Sequence, residues 1–291
     1  MPLDVAPLVY ALVAALLFAL GDQCQYLGVR TLDSRSGTMI SIVTSTACFW
    51  LLAPFLLDWT YLGAAGIWIF ALIGLFRPAL SANLSVAGVR YLGPTLSSTL
   101  SSTSPLFGTA LGVLWLGELL TWPVAVGTAG IIGSIVLLSR RGKTGSVNDW
   151  PLWALGFPIA AAAIRSLAHV LSKVGMVTVP DAYVAGLVSF SVSSVLLLSM
   201  QAARRERPQI VLGSPSLWFV GSGVAMALAI TALNQALLTG QIIVVVPIVS
   251  AAPVFTLLLS IAVFRRERPT ARLVAAVAVV VPSVILIALG R

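Results

Sequence analysis

Charge is what this sequence has least of. Only 9% of its 291 residues are charged, against roughly 25% in an ordinary soluble domain. A chain so poor in charge cannot present a fully hydrated surface, so a water-soluble globule is excluded. Cysteine is almost as scarce. Cys24 and Cys48 are the two present, both inside apolar runs, which excludes a disulfide framework and reads as two small buried hydrophobes. His169 is the single histidine. The paired Asp-rich motifs of isoprenoid transferases, the His-Glu-x-x-His of intramembrane metalloproteases and a Gly-x-Ser-x-Gly elbow are all missing. No catalytic residue, metal site or cofactor is therefore expected, and the chain is read as something other than an enzyme.

What is present is apolar. Hydrophobic residues make up 59% of the chain and the mean hydropathy is +1.04; much of the remainder is Ser, Thr and Gly, which fit inside a helix bundle. The net charge of +8 and pI near 10.3 raise the question of nucleic acid. The Lys and Arg residues, however, sit in short breaks between apolar runs rather than along one helical face, so no nucleic-acid partner is expected. The N-terminal run lacks a basic leader, and its apolar stretch is as long as the ~20 residues that span a bilayer, so it reads as a retained first helix.

Cutting at charged, Gly/Pro and Asp/Asn breaks gives ten runs, at about 6–29, 37–57, 64–87, 94–116, 122–140, 151–173, 181–202, 215–238, 241–264 and 270–290. They are too long, and alternate too little, for barrel strands. The predicted fold class is all-α, an integral membrane protein with ten transmembrane helices. Breaks after the odd-numbered runs carry Arg30 and Arg35, Arg90, Arg140, Arg141 and Lys143, Arg204, Arg205 and Arg207, and Arg265, Arg266 and Arg268; the other side has Lys173 and Arg291. The first set should be cytoplasmic and both termini extracytoplasmic. Trp59, Tyr61, Trp115 and Trp122 mark one interface, and Trp150, Trp153 and Trp218 the other.

The polar break at 141–150 divides the chain into halves of five runs, residues 1–143 and 144–291. An odd number of spans per half requires the second half to be inverted relative to the first. Internal similarity supports this. Asp22 and Gly28 fall opposite His169 and Gly175 at one constant offset, Pro105 matches Pro253, and Glu118 and Glu267 follow at nearly the same spacing.

These elements resemble the drug/metabolite transporter superfamily, in its ten-helix EamA branch. The residues that carry the likeness are Ser104-Pro105-Leu106-Phe107 through Leu116-Gly117-Glu118-Leu119 to Gly127, Gly130 and Gly133, and in the second half Ala252-Pro253-Val254-Phe255 through Arg266-Glu267-Arg268-Pro269. The second half has Ala and Val where the glycines after the Glu belong, and the first helix has Phe18-Ala19-Leu20-Gly21-Asp22 in place of a Trp-Gly pair. The resemblance implies two inverted five-helix repeats, a bacterial inner-membrane location and export of amino acids or related metabolites, with the YddG-like amino-acid exporters as the functional model. Wider relatives carry nucleotide sugars, triose phosphates or drugs.

Polar groups at bilayer depth cost roughly 2.5–3.5 kcal/mol for a central Arg or Asp, so they face a cavity or a partner. Helical spacing groups Asp22, Gln25 and Tyr26, with Gln23 adjacent; Arg77 and Ser81, with Asn83 beside them; Ser97, Ser101, Ser104 and Gly108; Arg165, His169 and Ser172; and Thr231, Asn234 and Gln235. The expected substrate-binding set is Gln23, Tyr26, Arg77, Asn83, Ser101, Arg165, His169, Asn234 and Gln235. Asp22 and His169 are candidates for coupling or an ion pair. The plainer readings are interhelical hydrogen bonds for the hydroxyls, structural pairing or snorkelling for the arginines, and a buried, non-titrating His169. Pro105 and Pro253 are candidate gating kinks. Glu118 and Glu267 sit where a carboxylate favours a helix N-terminus, and Gly127, Gly130 and Gly133 suit close helix packing.

The expected function is a secondary transporter exporting amino acids, aromatic or otherwise hydrophobic ones included, or related metabolites by alternating access. Its partners are a small-molecule substrate and the lipid bilayer, with a monomer as the working unit. The competing readings are a carrier or flippase for nucleotide sugars or lipid-linked metabolites, and a membrane subunit with no transport role.

Overall fold

The computed structural model describes residues 5–29, 32, 34–77, 79–139, 152–203, 214–264 and 271–290. Within these the chain forms twelve α-helices and no strand. The first half holds α1 (Ala6–Gly28), α2 (Ser34–Leu56), α3 (Ala65–Phe76), α4 (Ala79–Ser101), α5 (Ser104–Leu116) and α6 (Trp122–Ser139). The second holds α7 (Gly156–Thr178), α8 (Ala182–Ala203), α9 (Ser214–Thr239), α10 (Ile242–Ser250), α11 (Ala252–Ala262) and α12 (Ala271–Leu289). Six stretches are long and apolar enough to cross a membrane: Ala6–Gly28, Ser36–Leu56, Leu152–Thr178, Ala182–Ala203, Ser216–Thr239 and Ile242–Ala262. Shorter apolar helices lie at Ala65–Phe76, Ser104–Leu116, Trp122–Leu137 and Leu273–Leu289.

The third and fourth runs take a less regular form than the sequence suggests. The first break falls at Arg77, whose backbone is extended (φ −125°, ψ 133°), because the residue before a proline is driven out of the helical region. Helical backbone then continues from 79 to 101. A straight helix would separate residues 88 and 97 by about 13 Å. Yet a Cβ added at Gly88 would lie 2.7 Å from Ser97 Oγ, so the chain doubles back between them. The boundary read from the sequence between the runs at about 64–87 and 94–116 falls in this stretch, which is helical backbone.

The fourth and ninth spans break at matching points. Thr103 (φ −75°, ψ −6°) precedes α5, and Ala251 (φ −75°, ψ −1°) precedes α11. Pro105 and Pro253 each occupy the first turn of the following half-helix, where a proline sacrifices no helical hydrogen bond. Both prolines thus start a helix segment rather than bend an unbroken one.

The inverted repeat is most visible in the packing between halves. Gly28 of α1 lies against the Phe219 ring of α9, and Gly175 of α7 lies against the Phe70 ring of α3. Ser41 of α2 donates to Phe219 O (3.0 Å), and Ser189 of α8 donates to Phe70 O (3.0 Å). Ser45 donates to Gly223 O (2.7 Å), and Ser193 donates to Gly74 O (2.6 Å). Each feature recurs about one half-length further along the chain with the roles of the halves exchanged. Without a hydrophobic force between helices in lipid, small residues and interhelical hydrogen bonds supply this adhesion.

One partner has an extra task. A helical Gly74 carbonyl would bond the N–H of residue 78, which is proline and has none. Ser193 Oγ sits 2.6 Å from both Gly74 O and Arg77 O, and so serves the carbonyls released by the break. On the flank, α6 packs along α12. Gly127 meets Ile287 and Ser283, Gly130 meets Ser283, and Gly133 faces open space.

Candidate functional site

A cavity of about 460 Å³ lies between the halves. From the first half, α1 contributes Phe18, Asp22 and Gln25, and α2 contributes Thr38, Ser41, Ile42 and Ser45. Ile73, Arg77, Ser81 and Ser85 follow along the broken third span. From the second half come Arg165 and Ser172 of α7, Ala185, Ser189 and Phe190 of α8, and Met226, Ile230 and Asn234 of α9. The combination of apolar walls with a few placed polar groups is that of a small-molecule site, and the volume lies within the usual range of about 300–1,000 Å³.

The local sequence explains why these groups face inward. The Arg77 break turns the third span at the cavity wall, so a guanidinium is placed where an unbroken helix offers only a side of its cylinder. Arg165 is half-buried, with Nη1 3.5 Å from Ser85 Oγ, too long for a strong hydrogen bond. The two guanidiniums line the same cavity. Asp22 lines the same space with an accessible side chain. Among the described residues the ion pair is Lys173–Glu118, away from the cavity; Asp22, Arg77 and Arg165 form none.

The lining hydroxyls are mostly engaged. Ser41, Ser45 and Ser189 donate to carbonyls of facing helices or of their own turn, and Ser85 donates to Ser81 O. Their oxygens remain as acceptors toward the cavity. Asn234 is buried and uses Nδ2 on Ala182 O (3.2 Å).

Of the residues expected from the sequence, Asp22, Arg77, Arg165 and Asn234 come together on this lining. Others lie elsewhere. Gln23 is buried and donates to Thr256 O (2.7 Å), holding α1 to α11. Tyr26 is 56% exposed and, like Ser101 and Gln235, is not part of the wall. His169 is buried behind it, its Nδ1 lacking a hydrogen-bond partner among the described residues. The Asn83 side chain lies outside the described residues. In the serine stripe, Ser104 and Ser166 bond each other (3.1 Å), Ser166 donates to Ser104 O (2.7 Å), and Gly108 packs on Val246. That stripe is a helix contact, since small residues with hydroxyls suit close approach as well as they suit a ligand.

Sequence reasoning missed the α2 and α8 contributions, Thr38, Ser41, Ser45 and Ser189. The spacing of three and four among Thr38, Ser41 and Ser45 was a usable signal, hidden by the abundance of serine elsewhere.

An aromatic cluster adjoins the cavity. Phe190 lines it and packs on Phe49 (5.7 Å between centroids), which packs on Tyr183 (5.5 Å); the Tyr183 hydroxyl donates to Phe49 O. Glu118 accepts hydrogen bonds from Ile242 N (2.9 Å) and Ile243 N (3.0 Å), capping α10 of the other half rather than the helix that follows it in sequence. Lys173 Nζ reaches Glu118 (2.8 Å) and Gly240 O (2.6 Å). Gly117, at φ +67°, provides the left-handed turn that ends α5 and aims Glu118 at this junction. Glu267 lies outside the described residues.

A bundle of membrane-spanning helices in inverted halves, with a chamber of apolar walls and a few polar groups at their junction, defines the architecture of a small-molecule transporter. Comparison with known proteins makes the class specific. The EamA-like transporter family model matches residues 6–140 and 152–289, so the chain belongs to that family, within the drug/metabolite transporter superfamily. No curated protein matches it. A solved structure described only as "Crystal structure of protein" superposes with a TM-score of 0.78 at 17% identity, covering 96% of this chain and 94% of that one; this likeness speaks to the fold alone. The protein is a multi-pass membrane protein of a family that transports small molecules.

Proposed function

We propose that this protein exports amino acids or related small metabolites across a bacterial inner membrane by alternating access, with no catalytic step. The observation that carries the reading is the cavity itself, which is shared between the two halves and brings Asp22, Arg77, Arg165 and Asn234 to one space. Movement of one half against the other would expose that space to each side in turn. The paired breaks before Pro105 and Pro253 are the hinges, and the Glu118–Lys173 junction ties the two halves at one end of the bundle. Positive-inside bias makes that end extracytoplasmic. The competing reading, a carrier of nucleotide sugars or lipid-linked metabolites, is favoured by the neighbouring guanidiniums, which suit a diphosphate.

The test is efflux from proteoliposomes preloaded with radiolabelled amino acids or with a uridine-diphosphate sugar, with and without a proton gradient. Amino-acid efflux supports the proposal. Efflux of the nucleotide sugar alone would transfer the chain to the competing class, and flux of neither would remove the carrier reading. Orientation is tested by replacing the native cysteines and placing one at Leu119, which is 80% exposed. An impermeant maleimide should label it in intact cells; labelling only after permeabilisation would invert the topology.

A further inference from the structure

The charges on the cavity wall do not balance. Two guanidiniums, Arg77 and Arg165, face one carboxylate, Asp22, and no ion pair joins either cation to it among the described residues. A zwitterion with a neutral side chain would leave that excess uncompensated. The neutral groups deepen the imbalance, because Ser41, Ser45, Ser85 and Ser189 spend their hydroxyl hydrogens on backbone carbonyls. Charged donors for a bound oxyanion are the two arginines, with the amides of Gln25 and Asn234 and the Ser172 hydroxyl on the same wall. Two like charges lining one low-dielectric space are stabilised by an anion placed between them, through short, charge-assisted and often bidentate hydrogen bonds.

We propose that the cavity selects small organic anions, solutes carrying one more carboxylate or phosphate group than ammonium groups. An ammonium group, where present, faces Asp22, and the oxyanions face Arg77 and Arg165. Phe18, Phe190 and Met226 close around the carbon skeleton. This inference rests on the transporter reading and narrows its substrate class.

The experiment compares solutes matched in size and differing in charge. Proteoliposomes containing the full chain are loaded with radiolabelled glutamate or glutamine, and separately with glycerol 3-phosphate or glycerol. The charged member of at least one pair should leave faster by about ten- to a hundredfold, the equivalent of one charge-assisted hydrogen bond. The pair that responds tells whether the oxyanion is a carboxylate or a phosphate. Arg77→Gln and Arg165→Gln should each abolish the preference, whereas Arg77→Lys should retain its sign. Monodisperse elution in detergent confirms that a variant is folded. Equal or faster flux of the neutral members, or an undiminished preference in a folded Arg77→Gln protein, overturns the proposal while the transporter reading stands. Absence of flux for all four solutes and for every neutral amino acid overturns both.

Discussion

The two halves of the chain agree in their framework and disagree at the cavity. In the framework, Gly28 and Gly175 each receive a phenylalanine ring from the other half, and Ser41 and Ser45 repeat as Ser189 and Ser193. On the wall, the offset proper to each helix pair sets Phe18 against Arg165, Arg77 against Met226, and Ser85 against Asn234. Equivalent positions hold the helices together with the same chemistry, yet line the chamber with different chemistry. Mutual adhesion of two alike units needs matched contacts, while a ligand without two-fold symmetry needs an asymmetric wall. The repeat is a scaffold, and the chamber wall is where it is broken.

The sharpest way to break the comparison is to remove its paired rings. Phe70 and Phe219 are fully buried, so Phe70→Ala and Phe219→Ala should each cost about 3–4 kcal/mol, seen as similar drops in thermal unfolding temperature in detergent. A large inequality would show that the halves are not packed alike. Glu118→Ala follows. It strips Lys173 of its partner and leaves two N–H groups of α10 uncapped, and should cost about 2–3 kcal/mol in the same measurement. Glu118→Gln, which keeps an acceptor, should cost less.

A smaller effect sharpens the comparison. Ser45→Ala removes a hydrogen bond to a carbonyl in unbroken helix, worth about 0.5–1 kcal/mol. Ser193→Ala leaves carbonyls beside the Arg77 break unserved, so its cost should be nearer 1–3 kcal/mol, as expected for buried groups left unsatisfied. Equal losses would mean that the serine is not compensating for Pro78.

Most of the fold was legible in the sequence because lipid imposes few solutions. Long apolar runs must be helices, and an odd number per half forces inversion. The Pro105 and Pro253 match was readable for the same reason. The site was less so. Asp22, Arg77, Arg165 and Asn234 stood out because charge and amide are costly in a membrane, and they share the cavity wall. Gln23 and His169 carry equally costly groups, but face neighbouring helices, and helical spacing alone does not say which side of a helix meets a hollow. The lining serines on α2 and α8 were hidden by their commonness. Glu118 illustrates a different limit: its cap lies more than a hundred residues away in sequence, a contact that only the meeting of the two halves reveals.

The central claim is that the cavity cations are left unpaired for a ligand rather than fastened for stability, the opposite of Lys173. Unfolding of wild type, Arg77→Gln and Lys173→Gln should be followed in detergent with and without the transported anion. The account predicts that Arg77→Gln unfolds at or above the wild-type temperature and loses the ligand-induced rise, while Lys173→Gln unfolds lower and keeps it. If Arg77→Gln instead unfolds well below wild type and is still stabilised by the anion, Arg77 is a structural residue and the account is wrong.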